Sequence, residues 1–200
     1  MRAGAVLLLA LLGCAAPAPR VSVDSALQRE LLARLATDQA IRDTFTAALR
    51  QGLPPDTLVA RRMLAVDSAN TEWLRRVVAD GGWPTRSRVG EEGAQAAFLI
   101  VQHATHDTAF QARMLPLLER AAAAGEARGA DVAMLADRIA VHRGGRQRYG
   151  TQAQIQGGRV VLDPIDDSAH VDERRAALGM PPLAAYVAVL ESVYTARPSR

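Results

Sequence analysis

The sequence predicts a mainly α fold, a helical domain of about six to seven helices with one small β-hairpin. Three observations carry this expectation. Apolar residues recur at helical spacing through most of the chain. Glycine and proline pairs punctuate those stretches. Gly157-Gly158 followed by Arg159-Val160-Val161-Leu162 reads as one small β-hairpin. At 200 residues and 49% hydrophobic, the chain is long enough to close one proper core.

In chain order, Leu27, Leu31, Leu35, Ile41, Phe45 and Leu49 mark a long amphipathic helix over 24–50. Asp24 or Ser25 starts it, and Gly52 with Pro54-Pro55 ends it. Asp56 or Thr57 opens a second helix through Leu58, Met63, Val66, Trp73, Leu74 and Val77, with room for a bend near residues 68–70. Gly81-Gly82-Trp83-Pro84 breaks it. A third helix is expected over 91–103, ending at Gln102-His103. Thr108 and Gln111 then fit a capping box for a fourth, whose apolar face is Phe110, Met114, Leu117 and Leu118. Pro116 inside that pattern predicts a kink. Beyond the loop at 125–129, Asp131 caps a helix through Met134, Leu135, Ile139 and Val141. Residues 146–155 are polar, and Arg159, Val160, Val161 and Leu162 complete the hairpin. Two terminal helices follow, over 171–178 and 183–194, separated by Gly179 and Pro181-Pro182.

Residues 1–13 read as a leader. Arg2 precedes an apolar run from Ala5 to Leu12 that is far too short to span a bilayer. With Leu11-Leu12-Gly13-Cys14 it resembles a bacterial lipoprotein signal, in which Cys14 becomes the acylated first residue. Residues 14–23 are then a lipidated tether and 24–200 a single helical domain. The resemblance implies a lipid-anchored protein of the cell envelope, at the outer membrane facing the periplasm, because no Asp follows Cys14. Cys14 is the only cysteine, which excludes an internal disulfide and a thiolate metal cluster.

Charge excludes another class. The chain has 24 basic and 21 acidic residues, a net +3 that becomes +2 once Arg2 leaves with the leader. All the basic residues are arginine, and no aromatic residues interleave with a basic stripe, so no nucleic-acid partner is expected. The phosphate loop, dinucleotide glycine pattern and nucleophile elbow are also missing.

The candidate site residues are Gln102, His103, Asp137, Arg138, Gln147, Tyr149, Thr151 and Gln152. His103 follows an apolar run, where partial burial demands a hydrogen-bond partner. A helix through 102–107 would put His103, His106 and Asp107 on one face, but a ligand set without an identifiable supporting shell is weak. Neither a metal nor a cofactor is expected. Asp137-Arg138 on a helix offers either a structural ion pair or a carboxylate that orients His103. If extended, 147–152 places Gln147, Tyr149 and Thr151 on one face and Arg148, Gly150 and Gln152 on the other, a donor-rich strip for a polar ligand or a stitch between hairpin and helices. Trp73 and Trp83 are expected as core anchors.

Gly82-Trp83-Pro84, Gln102-His103-Ala104, Phe110-Gln111, Asp137-Arg138, the run from Gln147 to Gln152 and Pro164-Ile165-Asp166-Asp167 together resemble an uncharacterised bacterial family, a domain of unknown function often secreted or lipid-anchored. The likeness extends from about Leu27 to Tyr194, with Thr105 where the pattern often carries an acid. It implies a common site and no particular chemistry. The leading expectation is a lipid-anchored envelope protein that binds a polar small molecule, peptide or envelope partner without catalysis. The alternatives are an enzyme, such as a hydrolase with His103 as general base held by Asp137, and a structural envelope adaptor.

Overall fold

The computed structural model describes residues 23–50, 56–157 and 159–194. The expected leader, Cys14, Gly52, Pro54-Pro55 and Gly158 lie outside them. Seven helices and one antiparallel hairpin make up the described chain: α1 (Ser25–Arg50), α2 (Thr57–Gly81), α3 (Arg86–His103), α4 (Thr108–Ala123), α5 (Gly129–His142), β1 (Ala153–Gln156), β2 (Arg159–Leu162), α6 (Val171–Ala176) and α7 (Leu183–Tyr194). The fold is therefore mainly α with a small hairpin, as the periodicity predicts.

α3 forms the centre. Its residues Val89, Ala94, Ala96, Ala97, Phe98, Ile100 and Val101 are all buried, so it is apolar nearly all round and must be covered on several sides. α1, α2, α4 and α5 supply the cover, adding Leu31, Leu74, Phe110, Leu118 and Leu135 to the same core. Trp83 joins this core, while Trp73 is half-buried and stacks under Arg34, 4.4 Å from the ring centroid.

Local chemistry sets most boundaries. The Asp24 side chain accepts from the Leu27 N–H at 3.0 Å, and Asp56 accepts from Leu58 at 2.7 Å. α2 runs unbroken through residues 68–70. α3 begins as a short turn interrupted at Gly90, where φ is +73°, and is regular from Glu91 on. The positive φ at Gly90 favours glycine there, and a Cβ would meet only the terminal amide of Gln28 on α1.

Three local expectations are corrected. The capping box at Thr108 and Gln111 does not form: Asp107 is the cap, accepting from Phe110 N–H at 2.8 Å. Gln111, fully buried, instead donates to the Val101 and Gln102 carbonyls at 3.1 and 3.2 Å, which satisfies acceptors at the end of α3 that helix geometry leaves open. Asp131 is not the cap of α5; it lies in the first turn and pairs with Arg128 at 2.7 Å. The 147–152 run is not a strand. Apart from a single bridge from Gln147 to Ile165 it turns around a buried carboxylate.

The hairpin pairs Ala153 with Leu162 and Ile155 with Val160. Its β2 strand packs on α7, and α6 also contacts α7. Hairpin, α7 and the loop ahead of β1 thus form a flank beside α5.

Candidate functional site

Two polar centres arise on the helical frame. The first is built on Asp137. The carboxylate is almost fully buried and accepts five hydrogen bonds: Oδ1 from the Arg148 and Tyr149 N–H groups at 2.7 and 3.0 Å, and Oδ2 from the N–H groups of Tyr149 and Thr151 and the Thr151 hydroxyl at 3.1, 3.0 and 2.9 Å. Such a charge is tolerated inside because neutral donors surround it. Gly150 makes the wrap possible, with φ at +69° and Leu183 so close that a Cβ would fall 2.6 Å from it. Gln147, fully buried, donates to the Gln152 and Asp163 carbonyls and accepts from the Gln152 N–H. From the far side, buried Arg175 donates to the Tyr149 carbonyl at 2.6 Å and to Pro181 at 2.7 Å, while Arg174 donates to the Arg148 carbonyl. Asp137, Gln147 and the Tyr149 backbone are thus the stitch between α5, the hairpin and α6.

The second centre joins three helices. Asp38 and Arg42 of α1, Asp67 of α2 and His103 of α3 form one network: Arg42 reaches Asp38 at 3.0 Å and Asp67 at 2.5 Å, and His103 Nδ1 lies 2.9 Å from Asp38. Here the expected partner of His103 is corrected. It is Asp38, not Asp137, whose oxygens are already taken by the loop. Asp38 accepts only, so Nδ1 carries the proton and donates to it; Arg42 Nε, also 3.0 Å from Nδ1, gives its hydrogen to Asp38 instead. In the neutral ring Nε2 is then the open acceptor. Burial pushes Asp38 up, but the His103 hydrogen bond and the charges of His103 and Arg42 outweigh it and hold the carboxyl below its ordinary range. For Asp67 burial prevails over the Arg42 contact, and the carboxyl is pushed up. One ligand atom from each of Asp38, Asp67 and His103 lies within 4.8 Å of the others, which is metal-ligand spacing. The Arg42 guanidinium, hydrogen-bonded to both carboxylates, already supplies the positive charge there. His106 is exposed.

Between these centres a cavity of about 460 Å³ opens beside α5. Gln102, Arg138, Thr151, Gln152 and Tyr186 supply its polar lining, and Met134, Ala153, Ile155, Val160 and Leu190 the remainder. The structure therefore brings four of the sequence-derived candidates to one opening, Gln102, Arg138, Thr151 and Gln152. It assigns Asp137 and Gln147 to the scaffold behind it; His103 and Tyr149 are not part of the lining. Thr151 serves both, since its hydroxyl donates to Asp137 and its carbonyl accepts from the Tyr186 hydroxyl at 3.1 Å.

Arg138 is the unusual group in this lining. Its Nε is buried and has no hydrogen-bond partner, and among the described residues no carboxylate pairs with it. Burial lowers its affinity for a proton, and the nearby charge of Arg42 lowers it further, while the Tyr186 phenol works the other way. Arginine starts so high that the side chain stays charged. Asp137 makes no ion pair among the described residues; converging N–H and hydroxyl donors satisfy it instead. The residues sequence reasoning missed are Asp38, Arg42, Asp67 and Tyr186. A signal existed for three: Asp38 and Arg42 continue the Leu31–Leu35 stripe at helical spacing, and Asp67 continues into the Asn70, Thr71 and Leu74 stripe of α2, so each is a charge on a face that packs inward.

A family model described as "Family of unknown function (DUF6624)" matches residues 25–198. Neither a curated protein nor a solved structure matches the chain.

Proposed function

The chain belongs to the DUF6624 family, and from that premise we propose that it is a non-catalytic binder of a small anionic molecule, taken into the cavity that Arg138 heads. The observation that carries the reading is the unpaired guanidinium on the cavity wall. A desolvated cation without an acceptor is costly, and the planar fork of arginine matches a carboxylate or phosphate in a bidentate arrangement. Gln102 adds an amide to the same lining, while the Gln152 amide nitrogen is already given to the Thr151 hydroxyl and the Met134 carbonyl. The volume falls in the usual range for small-molecule sites.

Thermal melting in acetate, succinate and inorganic phosphate tests this. A bound anion raises the melting temperature with the logarithm of its concentration above Kd, the stabilisation reaching about 2.7 kcal/mol at a hundredfold excess over Kd. Arg138→Gln removes the response while the variant melts near wild type. No response to any of these anions, or an equal response in Arg138→Gln, refutes the proposal.

A second reading, catalysis with His103 as general base, draws on the Asp38 contact at 2.9 Å, which fixes the ring as a carboxylate does in acid–base dyads. It predicts turnover of a small ester such as p-nitrophenyl acetate that disappears in His103→Gln and falls in Asp38→Asn. Membrane attachment through an acylated Cys14 is proposed with either reading; Cys14→Ser would release the protein from the membrane fraction.

A further inference from the structure

Resting on the anion-binding reading, we infer that the ligand is amphipathic: an anionic head held by Arg138 and an apolar body lying along the hairpin and α7. The cavity is mixed in composition. Arg138, Gln102, Gln152, Thr151 and Tyr186 supply polar groups to its lining, whereas the side chains of Ile155, Val160 and Leu190 are wholly apolar and Met134 adds only a weakly accepting sulfur. Ile155 and Val160 are cross-strand partners, so their side chains share one face of the hairpin.

The apolar surface continues past the opening. Ile155, a lining residue, is 48% exposed, and on α7 Val189 and Val193 are 58% and 45% exposed. Val189 follows Tyr186 by three positions and Val193 follows Leu190 by three, so both extend the helix face that lines the cavity. Exposed apolar side chains scattered singly need no explanation, but a run leading out of a charged cavity matches a ligand with a charge at one end only. A small inorganic anion would leave this wall in water. A neutral apolar ligand would leave Arg138 buried without an acceptor.

Titration calorimetry of the intact chain with acetate, butyrate and octanoate, each below its micellar concentration, tests the inference, with octanamide as the uncharged match and octyl phosphate as the alternative head. Affinity is expected to rise about fourfold per methylene while the wall is being covered, the factor for about 0.8 kcal/mol per buried CH₂. Octanoate is expected to bind at least tenfold more tightly than octanamide, and Arg138→Gln to erase that difference. Leu190→Asn is expected to flatten the chain-length dependence. Equal affinity for acetate and octanoate in the wild type overturns the amphipathic ligand and leaves the anion site standing. No binding by any carboxylate or by octyl phosphate removes both. Adsorption to anionic phospholipid vesicles without binding of soluble octanoate would overturn the cavity site in favour of a membrane surface. The wild-type series decides the matter even if a variant fails to fold.

Discussion

Asp137 and Arg138 are consecutive on α5, and the fold treats their charges in opposite ways: the carboxylate accepts five hydrogen bonds, whereas the guanidinium has no partner among the described residues and stands in a cavity lining. Asp137 is buried and Arg138 half-buried with its Nε out of reach of water, so desolvation opposes both charges. The difference lies in what surrounds them. Asp137 meets a loop whose N–H groups converge on it. Arg138 has no carboxylate beside it among the described residues, and the charge of Arg42 opposes its own. A saturated charge holds structure together and has little capacity left for a ligand, while an unsaturated one has that capacity at a cost in stability.

This contrast can be broken by substitution, and the largest effect is expected at the saturated charge. Asp137→Ala leaves three backbone N–H groups and a hydroxyl without an acceptor, at about 1–3 kcal/mol for each one that stays buried. A loss of roughly 3–5 kcal/mol in urea-induced unfolding is the expected result, with the 147–152 loop gaining fast amide exchange. If the loss stayed under about 1 kcal/mol, the carboxylate would not be the organiser of that loop. Arg42→Met comes next. It deprives buried Asp38 and Asp67 of their shared cation, and should cost about 3 kcal/mol in the same assay.

Gly150→Ala addresses the wrap itself rather than the charge. Positive φ together with the approach of Leu183 predicts a loss of about 2 kcal/mol, read as a lower denaturation midpoint at constant slope. The smallest change is expected for Arg138→Gln, within about 1 kcal/mol of wild type, since the cation it removes has no carboxylate partner. A large destabilisation there would mean that Arg138 holds the fold, and the contrast with its neighbour would collapse.

Acid sharpens the comparison through the other network. Asp38 is held low in the folded state, so its contribution to stability is complete above the ordinary carboxylate value of about 3.9 and is lost as pH falls through the depressed one. Asp67 is pushed up by burial and acts in the reverse sense: its charged form opposes folding above that raised value, and protonation relieves the opposition as pH falls. Melting curves from pH 6 to pH 3 should therefore separate Asp38→Asn, with a shallower acid loss than wild type, from Asp67→Asn, with a steeper one.

The helix boundaries were legible because they depend on near neighbours. Asp24 and Asp56 act within a few residues of themselves, and the apolar stripes of α1 to α5 repeat at short range. The capping box was misread because Thr108 and Gln111 fit a local rule, while Gln111 was drawn instead to carbonyls 9 and 10 residues earlier, at the end of α3. The extended reading of 147–152 failed for a similar reason. No alternation within six residues reveals a carboxylate waiting on another helix.

The sequence by itself determined the helical class and the hairpin, since hydrophobic period, glycine and proline act locally. Only the tertiary structure decided which charge meets which partner. His103 finds Asp38, 65 residues away, and Asp137 finds the loop 11 to 14 residues ahead of it. Coulombic and hydrogen-bond partners are selected by distance in space, and distance in space is fixed by how helices pack, which no run of neighbouring residues encodes on its own.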